Sequence, residues 1–169
     1  MKNHEVQIVP LEEVSPEEFA PYGQIMGRED GEPYETLEIL TYWTGNADLG
    51  PEGEKVDGGL LVCNRNGRAI RYLERHPETA ENFVPIQGEC LFVMAPADNS
   101  TEKPDVSRLK AFYLNGTLGV ALHKGTWHWP PVPLGEKVKL VLVRKGTLWE
   151  EAQIINLDEL GISGLHFTL

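Results

Sequence analysis

Almost everything after Gly23 falls into short β-rich runs that glycine, proline and asparagine interrupt. The runs are Thr36 to Trp43, Gly59 to Asn64, Ala69 to Arg75, Phe83 to Ile86, Cys90 to Ala95 and Val138 to Arg144. The 17 glycines and 12 prolines supply the turns between them. Val138, Leu140 and Leu142 alternate with Lys139, Val141 and Val143, which gives that run a core face and a partly apolar outer face. Leu91-Phe92-Val93-Met94 is apolar on both faces and predicts a central strand. One short helix is signalled by Ser15-Pro16-Glu17-Glu18, a capping box with proline at the first helical position, and Pro21-Tyr22-Gly23 stops it. Lys103 to Leu109 can hold one helical turn before a strand from Lys110 to Leu114. Many short antiparallel strands with few helices predict an all-β sandwich or barrel.

No repeat or linker divides the sequence, so residues 1–169 are expected to form one domain. The net charge of −11, from 26 acids and 15 bases, opposes binding to a phosphate backbone or an anionic membrane. No apolar run reaches the ~20 residues of a membrane span, and Met1 to Val6 lacks the apolar core of a signal peptide. Cys63 and Cys90 stand apart, each in an apolar strand-like run. Two buried, reduced thiols and a cytoplasmic address are expected.

The segment from Glu74 to Gly88 carries the chemistry. Glu74 and His76 are two apart, so on a strand both side chains leave the same face. Glu81 lies five further on, which would put it on the opposite face of an unbroken strand. Pro77 has no N–H for a ladder, and a turn through Pro77 to Ala80 would return Glu81 beside His76 on the next strand. A second segment, His123-Lys124-Gly125-Thr126-Trp127-His128, offers further imidazoles. Paired in a barrel, the two segments would form a mixed oxygen and nitrogen site for Mn, Fe, Ni or Zn. Both spacings follow those of the jelly-roll or cupin barrel, with Glu74 in place of the first histidine of the first pattern. The same residues also allow a structural reading, in which Glu74 and Arg75 form a surface ion pair, Glu78 and Glu81 are solvated turn acids and His128 packs in an aromatic wall with Trp127 and Trp129.

The combined pattern resembles the ureidoglycolate lyase family, cupin-type enzymes of allantoin and purine degradation. The resemblance rests on Phe19 to Gly23, Asn64-Arg65, Glu74 to Pro77, Phe83-Val84-Pro85, Gly88-Glu89, Lys103-Pro104-Asp105, Ala111-Phe112, Asn115-Gly116 and His123 to His128. This chain departs from the family pattern at several positions. Leu122, Lys124 and Trp129 stand where the family has Tyr, Arg and His, and Glu81 stands where Gln is common. After the last core strand the usual Asp-Arg-Gly is replaced by Arg144-Lys145-Gly146.

The resemblance implies cleavage of ureidoglycolate, a small carboxylate, into glyoxylate and urea with a divalent metal. It places Glu74, His76, Glu81 and His128 as metal ligands, and His123, His128 and Glu74 as catalytic groups, with His123 the general base or an alternate ligand. Arg65 and Lys124 are expected to hold the substrate carboxylate, arginine better because its fork grips two oxygens. Trp127 and Trp129 are expected to wall the pocket. A homodimer follows from fold analogy. A divergent isomerase or dioxygenase on another small polar acid, or a non-catalytic binding cupin, fits the altered mouth residues as alternatives.

Overall fold

The computed structural model describes residues 5–26, 32, 35–37, 40–42, 56–65, 70–98, 100–145 and 151–167. The first strands are β1 (Glu5–Val9), β2 (Leu11–Glu13), β3 (Gly23–Met26), β4 (Glu35–Leu37), β5 (Leu40–Tyr42), β6 (Val56–Asn64), β7 (Tyr72–Arg75) and β8 (Glu81–Gln87). There follow β9 (Cys90–Ala95), β10 (Lys110–Leu114), β11 (Gly119–Leu122), β12 (Trp127–His128), β13 (Val132–Pro133), β14 (Lys137–Lys145), β15 (Gln153–Asn156) and β16 (Ile162–Phe167). The all-β expectation holds. The helix α1 (Pro16–Phe19) is capped by Ser15, whose hydroxyl accepts from the Glu18 N–H at 3.2 Å. The turn foreseen before β10 is a 3-10 helix, Val106–Arg108. Trp43 and Ala69, at the ends of two expected strands, lie outside the described residues.

Two sheets make the body of the fold. A seven-stranded sheet runs β15-β7-β12-β9-β10-β2, with β13 also paired to β9, and a five-stranded sheet runs β3-β11-β8-β14-β6. Phe83, Val120, Val138 and Leu140 of the second sheet meet Phe92, Met94, Phe112 and Leu114 of the first in one buried cluster. The Phe83 and Phe92 rings cross edge-on with centroids 4.8 Å apart. Strand β9 is buried at every residue, as its apolar pattern requires. Its Phe92 and Met94 face the other sheet, while Val93 and Ala95 join a second cluster with Leu73, Trp127 and Leu165. The second cluster is roofed by β1 and β16, which pair in parallel, and β2 also joins β10 in parallel. These two parallel pairs depart from the purely antiparallel expectation. No helix among the described residues is long and apolar enough to cross a membrane.

Candidate functional site

Strand parity aims the site residues. On β7, Leu73 belongs to the outer cluster, so Glu74 and, just past the strand, His76 face the space between the sheets. Strand β12 repeats the pattern: Trp127 joins the outer cluster and His128 turns inward, paired in register with Glu74. The chain bends after Arg75 and re-enters as β8 at Glu81, as the proline foretold. Strand β8 belongs to the five-stranded sheet, so Glu81 approaches the imidazoles from the facing layer rather than from a neighbouring strand. The bend is pinned by the Glu78 N–H, which donates to the Glu151 carboxylate at 2.6 Å. The second segment is tied to the first by the Gly125 N–H, which donates to the His76 carbonyl at 2.8 Å. Gly125 takes a φ of 79°, a left-handed turn that a side chain would strain.

The charged groups converge closely. His128 Nε2 lies 3.0 Å from Glu81 Oε2 and 3.9 Å from Glu74 Oε1, and His76 Nε2 lies 3.5 Å from Glu81 Oε2. One ligand atom from each of Glu74, His76 and His128 falls within 4.8 Å of the others. Two ligands bound at about 2.1 Å to one ion are at most about 4.2 Å apart, so a small inward shift would let all three share a metal. His128 Nδ1 lies 2.9 Å from the Thr126 carbonyl, which fixes its proton there and leaves Nε2 facing the carboxylates when the ring is neutral. Among the described residues, His76 Nδ1 and Glu81 Oε2 are buried without a well-formed hydrogen bond. For Glu81 Oε2 the 3.0 Å approach of His128 is a charge contact off the line of a good hydrogen bond. Orphaned atoms of this kind, in a donor set of nitrogen and carboxylate oxygen, suit a divalent cation.

Burial alone would lower the His128 pKa, but the Glu81 carboxylate beside it more than compensates and holds the imidazole above its usual range. Burial would likewise raise Glu81, and contact with His128 and then His76 brings it below the usual carboxylate range. His76 is held low, chiefly by burial.

Glu74, Glu81 and His128 line one end of a cavity of about 280 Å³, and Leu61, Phe83, Leu142 and Arg144 form much of the rest. A scan of family models matches residues 6–164 to ureidoglycolate lyase. Curated ureidoglycolate lyases of Escherichia coli O9:H4 (strain HS) and Shigella flexneri are each 32% identical over 130 residues, covering 74% of this chain and 78% of theirs. This chain belongs to the ureidoglycolate lyase family. Oxalate decarboxylase from Bacillus subtilis overlaps with a TM-score of 0.43 at 15% identity, over 63% of this chain and 25% of that one. That overlap is partial and says nothing about chemistry.

Five residues expected at the site do not line that cavity. His123 is exposed, its Nε2 3.2 Å from the Ala20 carbonyl, and it borders a narrow depression with His76, Glu81 and His128 rather than the larger cavity. Lys124, beside it, is also exposed. Trp127 lies in the outer core with the Arg75 guanidinium 4.7 Å over its ring, since it has the opposite parity to His128. Arg65 bonds the Leu134 carbonyl at the Asn64–Lys137 end of the β6–β14 ladder, whereas the site lies at the Arg144 end. Trp129 borders a separate depression with Pro131 and Val132. Arg144, which motif spacing does not point to, lines the cavity. Its signal was present: it continues the inward alternation of Val138, Leu140 and Leu142.

Proposed function

We propose that this member of the ureidoglycolate lyase family splits ureidoglycolate into glyoxylate and urea with a divalent metal held by Glu74, His76 and His128. The observation that carries the reading is the convergence of two carboxylates and two imidazoles, of which Glu74, Glu81 and His128 line a small cavity. When bound there, a divalent cation would polarise the substrate oxygens and lower the pKa of the hydroxyl. Glu81 is the general base. Its Oε2 lacks a well-formed hydrogen bond and it lines the cavity beside the three ligands. Glu81 takes the proton of the substrate hydroxyl, the carbon–nitrogen bond breaks as the carbonyl forms, and the electron pair leaves on the urea nitrogen. The same proton then passes from Glu81 to that nitrogen. One proton has moved from oxygen to nitrogen, and nothing is oxidised or reduced. Leu61, Phe83 and Leu142 keep the cavity wall apolar, which strengthens these charge interactions by thinning out water.

The reading includes one domain over residues 1–169, a cytoplasmic address and a homodimer. Cys63 and Cys90 are free and buried, and burial pushes their thiols up to about 11 and about 12, so both suit a reducing compartment. The homodimer is supported by the apolar outer face of β6 and β8.

The test is direct. Protein loaded with Mn, Zn, Ni or Fe is incubated with racemic ureidoglycolate, and glyoxylate and urea are measured together. Equal amounts of both are expected. Failure of every loaded form to release either product overturns the lyase reading, and full activity in metal-stripped protein overturns the metal's part in it.

A further inference from the structure

Arg144 is the cationic side chain among the residues lining the cavity, which otherwise offers two carboxylates, His128 and apolar groups. It stands in register between Glu81 on β8 and Asp57 on β6, and its inward parity carries the guanidinium toward the cavity. Its Nη1 is buried and has no hydrogen-bond partner among the described residues. A guanidinium is a planar fork of donors that never loses its proton, so an unpaired N–H beside a small cavity calls for an acceptor from outside the chain. A carboxylate, with two coplanar oxygens, fits that fork. We propose that Arg144 grips the substrate carboxylate and selects small anionic ureides over their neutral counterparts. The proposal rests on the lyase reading for the identity of the substrate. It also accounts for an acidic protein, with net charge −11, holding an anion beside Glu74 and Glu81: one fixed cation supplies the local positive potential.

The experiment uses two probes that cannot be split, because both lack the hydroxyl. Ureidoacetate keeps the urea and the carboxylate, and ureidoacetamide replaces the carboxylate with a neutral amide. Binding of each to metal-loaded wild type, Arg144→Met and Arg144→Lys is measured by calorimetry, with thermal unfolding to identify the folded variants. Wild type is expected to prefer ureidoacetate. Arg144→Met should lose roughly ten- to a hundredfold in ureidoacetate affinity, the range of a charge-assisted hydrogen bond, with ureidoacetamide binding unchanged. Arg144→Lys keeps the charge but not the fork, so it should recover only part of the preference. Equal losses for both probes would make Arg144 a prop for Glu81 and overturn the proposal. So would wild-type affinity for ureidoacetate in a folded variant of either kind, or no binding of ureidoacetate to wild type. Wild type that binds ureidoacetate in this Arg144-dependent way, yet releases no glyoxylate or urea from ureidoglycolate, supports the grip and defeats the lyase reading separately.

Discussion

His128 joins both halves of the site, with Thr126 behind it and two carboxylates in front. A metal needs its Nε2 without a proton, and the Glu81 contact makes that proton harder to remove. The sign is therefore fixed. As pH falls, His128 begins to bind a proton above the ordinary imidazole value of 6.5, and metal affinity should start to fall from that higher pH. Titration of metal-free protein with Zn or Mn at stepped pH checks this, and an affinity flat from pH 8 to pH 6, on the scale set by free imidazole, would rule out His128 as a ligand. The residues that the structure brings together, Glu74, His76 and His128, are those whose direction follows from parity along one strand. Arg65 and Trp127 lie away from these groups because proximity in sequence to a motif says nothing about direction. Trp127 is one residue from His128 and points the other way.

Two turns bring the elements of the site together, and only one was legible. Pro77 announces the break between β7 and β8, but that β8 crosses to the other sheet depends on its pairing with β11 and β14, which local sequence does not encode. At the other turn, Gly125 combines a left-handed backbone with an N–H bonded to the His76 carbonyl. Gly125→Ala should cost about 1–2 kcal/mol, the strain of a side chain in that conformation, and lower Tm by roughly 2–8 °C for a domain of this size. Because the turn spaces His128 from His76, metal affinity should fall with it. Calorimetric unfolding and metal titration of the variant check both effects, and an unchanged Tm would show that the turn accommodates a side chain without strain.

At the scale of the molecule, strand content and the central position of β9 were readable from alternation, whereas the parallel pairings of β1 with β16 and β2 with β10 join distant parts of the chain and have no local signal. The same alternation exposes a feature of the surface. Leu61 and Cys63 face the core, so Leu60 and Val62 stand outward on β6, 62% and 40% exposed, and Ile86 on β8 is 57% exposed. Among the described residues β6 pairs with β14 alone, which leaves a nine-residue strand at the edge of its sheet. A long apolar edge in water invites pairing with further chains unless something covers it. A second copy related by a two-fold axis covers the same patch on both partners and closes the assembly, whereas a head-to-tail contact would propagate. Sedimentation velocity should therefore give a mass about twice the 18.9 kDa of one chain. Val62→Lys and Ile86→Lys together place charge on the apolar face without touching Glu74, His76, Glu81 or His128, so they should shift the protein to single chains that still bind metal. Wild type sedimenting as a single chain, or a double variant that stays paired, would remove this face as the dimer contact.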